Sequence, residues 1–152
     1  MADSKKEWVL KAFKGERVDK VPVGFWYHFL AEEEFGQGLD NPELFKKNLQ
    51  GHQKFIKEVD PDFIKLMSDG FFTYPNELIH TNVTSIQELA NISSIGENHP
   101  WFDQQVQLVN AIKESFTEDI VAIYNIFSPV TYLKWQLSGQ VAHGDGIIAQ
   151  FL

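Results

Sequence analysis

Two polar residues stand where buried strands of the predicted fold end, and their types suit proton transfer. Asp69 follows the apolar run 63–67, and His28 lies near the end of the run 21–29. Parallel sheets place their chemistry at the carboxyl ends of their strands. A carboxylate there can accept several N–H donors or stabilise a developing cation, and a His–carboxylate pair can act as general acid and base near neutral pH. The sequence therefore predicts Asp69 and His28 as catalytic residues.

Each of these two residues also has a purely structural interpretation. Asp69 would cap the loop that follows it through its own backbone, and His28 would hydrogen-bond a neighbouring loop. Aromatic side chains near the same strand ends and on the last predicted helix are expected to form the walls of a cleft. These predicted substrate-binding residues are Tyr27, Trp26, Tyr132 and Trp135.

The composition makes several other kinds of site unexpected. The chain has 152 residues, no cysteine and a formal net charge of -8, which disfavours thiolate metal sites and nucleic-acid partners. Its histidines lack the spacing that sets two metal ligands on one helix face, so no metal site is predicted. These histidines are His28, His52, His80, His99 and His143. A membrane span and a secretory signal are not predicted either, and we expect a cytoplasmic protein.

Apolar runs alternate with helical patterns along the chain. The runs at 21–29, 63–67 and 120–127 predict strands that are buried on both faces. Residues that would cap the start of a helix occur at Ser4, Asn41, His99 and Ser128. This alternation predicts an α/β fold with a parallel sheet. Three strands cover only part of a sheet, and the apolar segment 147–152 has no cap, so a truncated part of a larger fold is expected.

Residues 13–24 (FKGERVDKVPVG), 63–70 (FIKLMSDG) and 127–133 (FSPVTYL) occur in an order and spacing that together resemble the uroporphyrinogen decarboxylase superfamily. This superfamily also contains corrinoid-linked methyltransferases. The resemblance implies that residues 1–152 form a single domain, the N-terminal part of a (β/α)8 barrel of the TIM type. It also implies a site role for Asp69, which matches a family aspartate that hydrogen-bonds pyrrole N–H groups in the decarboxylases.

Departures from the decarboxylase pattern indicate the methyltransferase-like branch or an uncharacterised relative. The decarboxylases carry an arginine-rich loop after the first strand, but here that stretch reads YHFLAEEE at 27–34, and Arg17 is the single arginine of the chain. A substrate with many carboxylates needs such fixed bidentate cations. The catalytic tyrosine of the decarboxylases falls by counting on Trp135, with Tyr132 one helical turn away.

On this interpretation the chain is a fragment of a methyltransferase-like enzyme whose partner is a tetrapyrrole, a corrinoid or a methylated small molecule. Zinc and methylcobalamin would be bound by the full-length parent, with no cofactor held by this segment, and the fragment alone would be inactive. Asp69→Ala in the parent would reduce turnover and leave the fold intact. Two alternatives stay open, a uroporphyrinogen III decarboxylase of tetrapyrrole (heme) biosynthesis and a noncatalytic binding module that forms a homo-oligomer.

Overall fold

The computed structural model describes residues 4–116, 120–139 and 148–150. The helices and strands within these ranges are α1 Lys5–Phe13, α2 Pro42–Val59, β1 Phe63–Leu66, α3 Pro100–Glu114, β2 Val121–Tyr124 and α4 Pro129–Ser138. None of these helices is long and apolar enough to cross a membrane. Of the apolar segment 147–152, residues Ile148–Gln150 form a 3-10 turn and the others lie outside the described residues.

The helices begin where nearby side chains accept their first free N–H groups. At α1, the Ser4 hydroxyl accepts the Glu7 N–H over 3.2 Å and the Glu7 carboxylate accepts the Ser4 N–H over 2.9 Å. Asn41, His99 and Ser128 cap α2, α3 and α4, and each is followed by a proline at the start of the helix. The four predicted helix starts are confirmed because each cap is made by residues close together in the chain.

The sheet of the described residues consists of two parallel strands. β1 and β2 pair with Phe63 opposite Val121 and Leu66 opposite Tyr124. Ile64 and Leu66 point to the face covered by α2 and α3. The buried cluster on that face comprises Phe55, Ile64, Leu66, Phe71, Trp101, Leu108 and Ile112. Strands within the predicted runs 63–67 and 120–127 and their parallel relation are confirmed, and the fold is α/β. The prediction that these strands are buried on both faces is wrong, because alternate residues of β1 and all four residues of β2 are only partly buried.

The predicted strand at 21–29 is wrong. Residues 21–28 have no regular secondary structure, and several of their apolar side chains are exposed instead of buried on both faces. Two aspartates that flank β1 accept N–H groups at the two ends of this segment. Asp62 accepts the Val23 N–H over 2.8 Å, and Asp69 accepts the Phe29 N–H over 2.8 Å. The segment therefore runs parallel to β1. Hydrogen bonds hold it at both ends, but it forms no regular strand pairing with β1.

The helix faces that pack in the core agree with the predicted ones in part. The sequence pattern predicts a buried α2 face made of Phe45, Leu49, His52, Ile56 and Val59. His52 is fully buried, and Phe45, Leu49 and Ile56 are partly buried against the core cluster, but Val59 is exposed and Leu44, Asn48 and Phe55 are buried as well. The pattern after His99 predicts a face made of Phe102, Val106, Val109, Ile112 and Phe116. Ile112 is buried and Val109 and Phe116 pack against the same cluster, whereas Phe102 and Val106 are exposed.

The loop after the 21–29 segment rests directly on the backbone that follows β1. The Gly36 N–H donates to the Asp69 carbonyl over 2.9 Å, and the Gly38 N–H donates to the Gly70 carbonyl over 2.7 Å. Gly36 has a φ of +75°, and a Cβ on this residue would lie 3.0 Å from the backbone nitrogen of Thr73 and closer still to its side chain. The loop can approach Asp69 this closely only with a glycine at position 36.

We expect Gly36→Ala to lower the free energy of unfolding by about 2–3 kcal/mol, because left-handed backbone strain and overpacking act together. Urea denaturation followed by circular dichroism measures this change. Gly96→Ala is the matched control, since Gly96 has a similar φ of +80° and open space around its Cβ position. It should cost about 1 kcal/mol. Equal losses in the two variants would contradict the close packing assigned to Gly36.

Candidate functional site

Asp69 lies at the carboxyl end of β1, where the chain leaves the strand and enters the 3-10 turn Asp69–Phe71. Its side chain is fully buried, with 0% of the residue exposed. Oδ2 accepts the N–H groups of Phe29 at 2.8 Å and Leu30 at 3.3 Å. Oδ1 lies 2.9 Å from Nδ1 of His28. The carboxylate thus binds another segment of the chain instead of capping its own loop.

His28 is the accessible member of this pair. About half of its side chain (48%) is exposed, and its ring packs at 4.6 Å from Phe35 and 5.9 Å from Phe72 between ring centroids. Since the Asp69 carboxylate accepts from Nδ1, the neutral imidazole carries its free electron pair on Nε2. Nε2 makes no hydrogen bond within the described part of the chain. The arrangement gives a histidine with a fixed tautomer and a free nitrogen.

Tyr27 and Trp26 are predicted to bind substrate beside Asp69. Their side chains contact different parts of the fold. Tyr27 packs its ring edge-on against Phe29 and against Phe55 of α2, at 5.3 Å in both cases. Trp26 is 56% exposed, and the Lys65 ammonium group lies 5.3 Å from its ring centroid. Tyr27 therefore contributes to packing on α2, and Trp26 lies beside the sheet face that carries Lys65.

Trp135 and Tyr132 belong to an aromatic cluster at the end of β2. Trp135 is buried and lies 5.4 Å from Phe72 and 4.8 Å from Phe127 between ring centroids. Tyr132 packs on Phe127, and burial raises the pKa of its hydroxyl to about 12. Burial thus favours the protonated form of this hydroxyl, which a phenol already adopts near neutral pH. Phe72 lies between His28 and Trp135, and its ring contacts both of them.

Two residues near Asp69 were not predicted as site residues. Lys65 lies on the face of β1 opposite to Ile64 and Leu66, where burial lowers the pKa of its ammonium group and the Asp69 carboxylate opposes that shift. The signal in the sequence is a lone charged residue inside an apolar strand. His52, expected to pack at the edge of the core, is fully buried, and burial lowers its pKa to about 4.

His52 has both ring nitrogens bonded to backbone. Nδ1 donates to the Asn48 carbonyl over 2.9 Å, and Nε2 accepts the Met67 N–H over 2.9 Å. His52 thereby joins α2 to Met67, which follows β1 directly and lies two residues before Asp69. Nothing in the local sequence indicates the contact with Met67, because the two residues are 15 positions apart.

Among the described residues there is no group of three His, Asp or Glu side chains that could hold a metal ion. His143 lies outside the described residues. No family model, curated protein or solved structure matches the chain. The interpretation of this site therefore depends on its own geometry.

Proposed function

We propose that the chain is the N-terminal part of a uroporphyrinogen decarboxylase-superfamily barrel of the methyltransferase-like branch, and that His28 transfers a proton there. The observation that carries this proposal is the buried Asp69 carboxylate at the carboxyl end of β1, bonded to Nδ1 of His28 at 2.9 Å. Carboxyl ends of parallel strands are the active-site face of such barrels.

The His28–Asp69 pair has the geometry of a base held by a carboxylate. Asp69 fixes the tautomer and stabilises the imidazolium that forms when Nε2 takes up a proton. In a transfer to a thiol acceptor, Nε2 of His28 accepts the thiol proton and the sulfur keeps the electron pair of the S–H bond. Asp69 acts as a positioning residue in this scheme, because its oxygens are already occupied by His28 and by two backbone N–H groups.

The position of Arg17 favours methyl transfer over uroporphyrinogen decarboxylation. Arg17 lines a groove with Lys5 and Asp62, at the end of β1 opposite to Asp69. A substrate with many carboxylates needs cations beside the reacting group. The nearest such cation on β1 is Lys65, which faces Trp26.

Methylcobalamin, when bound by the full-length parent, would supply the methyl group, and zinc would favour the thiolate form of the acceptor. The described residues do not fit either group. They hold no set of three metal ligands, and the aromatic rings of Phe72 and Trp135 are buried against each other instead of forming an open face for a macrocycle. We therefore assign no step to a cofactor within this chain.

Exposed apolar side chains on the 21–27 segment support a larger assembly of strands around this sheet. The exposed residues are Val21, Val23, Phe25, Trp26 and Tyr27. Five exposed apolar side chains within seven residues of chain favour a surface that a further part of the fold or a partner covers. We propose that neighbouring barrel strands cover it, and a second copy of the chain is the competing occupant in a noncatalytic module.

The test is a methyl-transfer assay on the product of the open reading frame that contains this chain, with methylcobalamin and a small thiol as substrates. We expect His28→Gln to lower the rate by about 10²- to 10⁴-fold, the usual contribution of a general base. His80→Gln is the matched control, since His80 is exposed and does not contact Asp69.

The outcomes separate the candidate functions. Methyl transfer that is unaffected by His28→Gln would remove His28 from the mechanism. Decarboxylation of uroporphyrinogen without methyl transfer would identify the decarboxylase branch. A stable homo-oligomer that turns over neither substrate would support the noncatalytic module.

A further inference from the structure

Lys65 is a charged residue among the apolar residues of the sheet. It lies in the middle of β1, on the face opposite to Ile64 and Leu66. The residue paired with it in β2 is Ile123, and residues paired in this way project to the same side of the sheet. Phe63 shares this face of β1. The amine of Lys65 is therefore carried by a strand face with apolar neighbours, at a half-buried position.

The amine of Lys65 is not paired with an acid, unlike other amines of this chain. Lys5, Lys46 and Lys47 each form an ion pair with a carboxylate. Within the part of the chain that the structure describes, Nζ of Lys65 forms neither a hydrogen bond nor an ion pair. It contacts the ring of Trp26, whose centroid lies 5.3 Å from Nζ. When Nζ is neutral, no donor among the described residues engages its electron pair.

The surroundings of Lys65 favour its neutral form. Burial lowers the pKa of the ammonium group, and the negative charge of Asp69 opposes this shift without reversing it. A desolvated lysine has a larger fraction of neutral amine near neutral pH than an exposed lysine does. The neutral amine is the form that attacks carbonyl carbons. Lys65 therefore combines an unpaired nitrogen with an environment that makes this nitrogen nucleophilic.

We propose that Lys65 forms an imine with a small uncharged aldehyde, whose apolar body packs against Trp26. The Trp26 side chain is largely exposed and lies beside Nζ, so part of its surface is open to such a ligand. A phosphate or carboxylate ligand is disfavoured, because a single cation would have to hold it within the field of the Asp69 carboxylate. The site is independent of the proton transfer assigned to His28 and needs neither methylcobalamin nor a thiol.

The reaction is a condensation that needs no oxidant and no reductant. The electron pair of Nζ forms a bond to the carbonyl carbon, and the π electrons of the C=O bond move to the oxygen. The nitrogen then loses its two protons, the oxygen receives two protons and leaves as water, and a C=N bond forms. When the imine nitrogen takes up a proton, its positive charge lies where the ammonium charge lay, beside the ring of Trp26.

Benzaldehyde with sodium cyanoborohydride tests the proposal on the unmodified chain. Cyanoborohydride supplies a hydride to the imine carbon, which converts the imine into a stable benzylamine. Digestion and mass spectrometry then give the rate at which each lysine is modified. Near neutral pH we expect Lys65 to be modified several-fold faster than Lys20, and to reach its half-maximal rate at a lower benzaldehyde concentration.

Lys20 is the matched control within the same chain. Its Nζ lies 4.3 Å from the centroid of the Trp8 ring, so it has the same kind of aromatic contact, but Lys20 is exposed. Accessibility alone would make Lys65 react more slowly than Lys20, which is the reverse of the expected result. The proposal is overturned if Lys65 is modified no faster than Lys20.

Two variants identify the reactive nitrogen by the mass of the intact chain. Arginine keeps the positive charge of lysine but stays protonated, so it does not form the imine. At limiting benzaldehyde, Lys65→Arg should lose most of the singly modified form, and Lys20→Arg should retain it. Retention of that form in a folded Lys65→Arg, as judged by circular dichroism, would also overturn the proposal. If Lys65→Arg does not fold, the comparison of Lys65 with Lys20 in the unmodified chain decides the matter.

Discussion

Asp69→Ala should lower the free energy of unfolding by about 3–5 kcal/mol, a large part of the stability of a typical domain. The alanine removes the acceptor of the Phe29 and Leu30 N–H groups and of His28 Nδ1 at once. All of these bonds join the 21–29 segment to the end of β1, so the segment loses its attachment there. Urea denaturation with fluorescence detection measures the change. The sequence alone led to the expectation that this variant keeps its fold intact.

Asp69→Asn is the matched variant that separates stability from chemistry. Its amide oxygen can still accept the Phe29 and Leu30 N–H groups, so we expect a loss of about 1 kcal/mol. The amide nitrogen then faces His28 as a donor, and the ring proton of His28 moves from Nδ1 to Nε2. Nitrogen-15 NMR of the imidazole distinguishes these tautomers. The role assigned to Asp69 would be contradicted if both variants lowered the free energy of unfolding by less than about 1 kcal/mol and His28 kept its tautomer in Asp69→Asn.

Stability of the chain should fall as the pH is lowered from about 6.5 to about 4, because His52 is neutral in the folded state. Burial lowers the pKa of His52 from 6.5 to about 4, so between these values the unfolded chain binds a proton that the folded chain does not. Unfolding is then favoured as the pH falls. The full contribution is present above pH 6.5 and is lost by pH 4, which amounts to about 3 kcal/mol.

Urea denaturation at closely spaced pH values measures this dependence. His52→Gln removes the titrating ring, so its free energy of unfolding should change less steeply over the same interval, whatever its absolute stability. The exposed His80 supplies the control, and His80→Gln should keep the steep dependence. Parallel pH profiles for the unmodified chain and His52→Gln would show that the buried ring does not titrate as expected.

Local features of this protein follow from its sequence. The capping box of Ser4 and Glu7 and the Asn41–Pro42 helix start are made by residues no more than three positions apart, so the local sequence indicates them. The apolar runs that contain β1 and β2 can also be recognised in the sequence. Two continuous apolar runs with a helix between them are typical of parallel strands. Asp69 could be singled out for the same reason, as the polar residue that ends such a run.

The tertiary structure decided what these residues contact. The 21–29 segment has the composition of a strand, yet it is held at its two ends by the side chains of Asp62 and Asp69, both of which lie about 40 positions away in the chain. The buried face of α2 is similarly set by His52, whose Nε2 accepts the Met67 N–H. Hydrogen bonds between segments that are distant in the chain produce no periodic pattern in the sequence from which they could be predicted. The sequence therefore determined the caps, the paired strands and the position of Asp69, and only the fold determined that Asp69 holds His28 by Nδ1 and leaves Nε2 free.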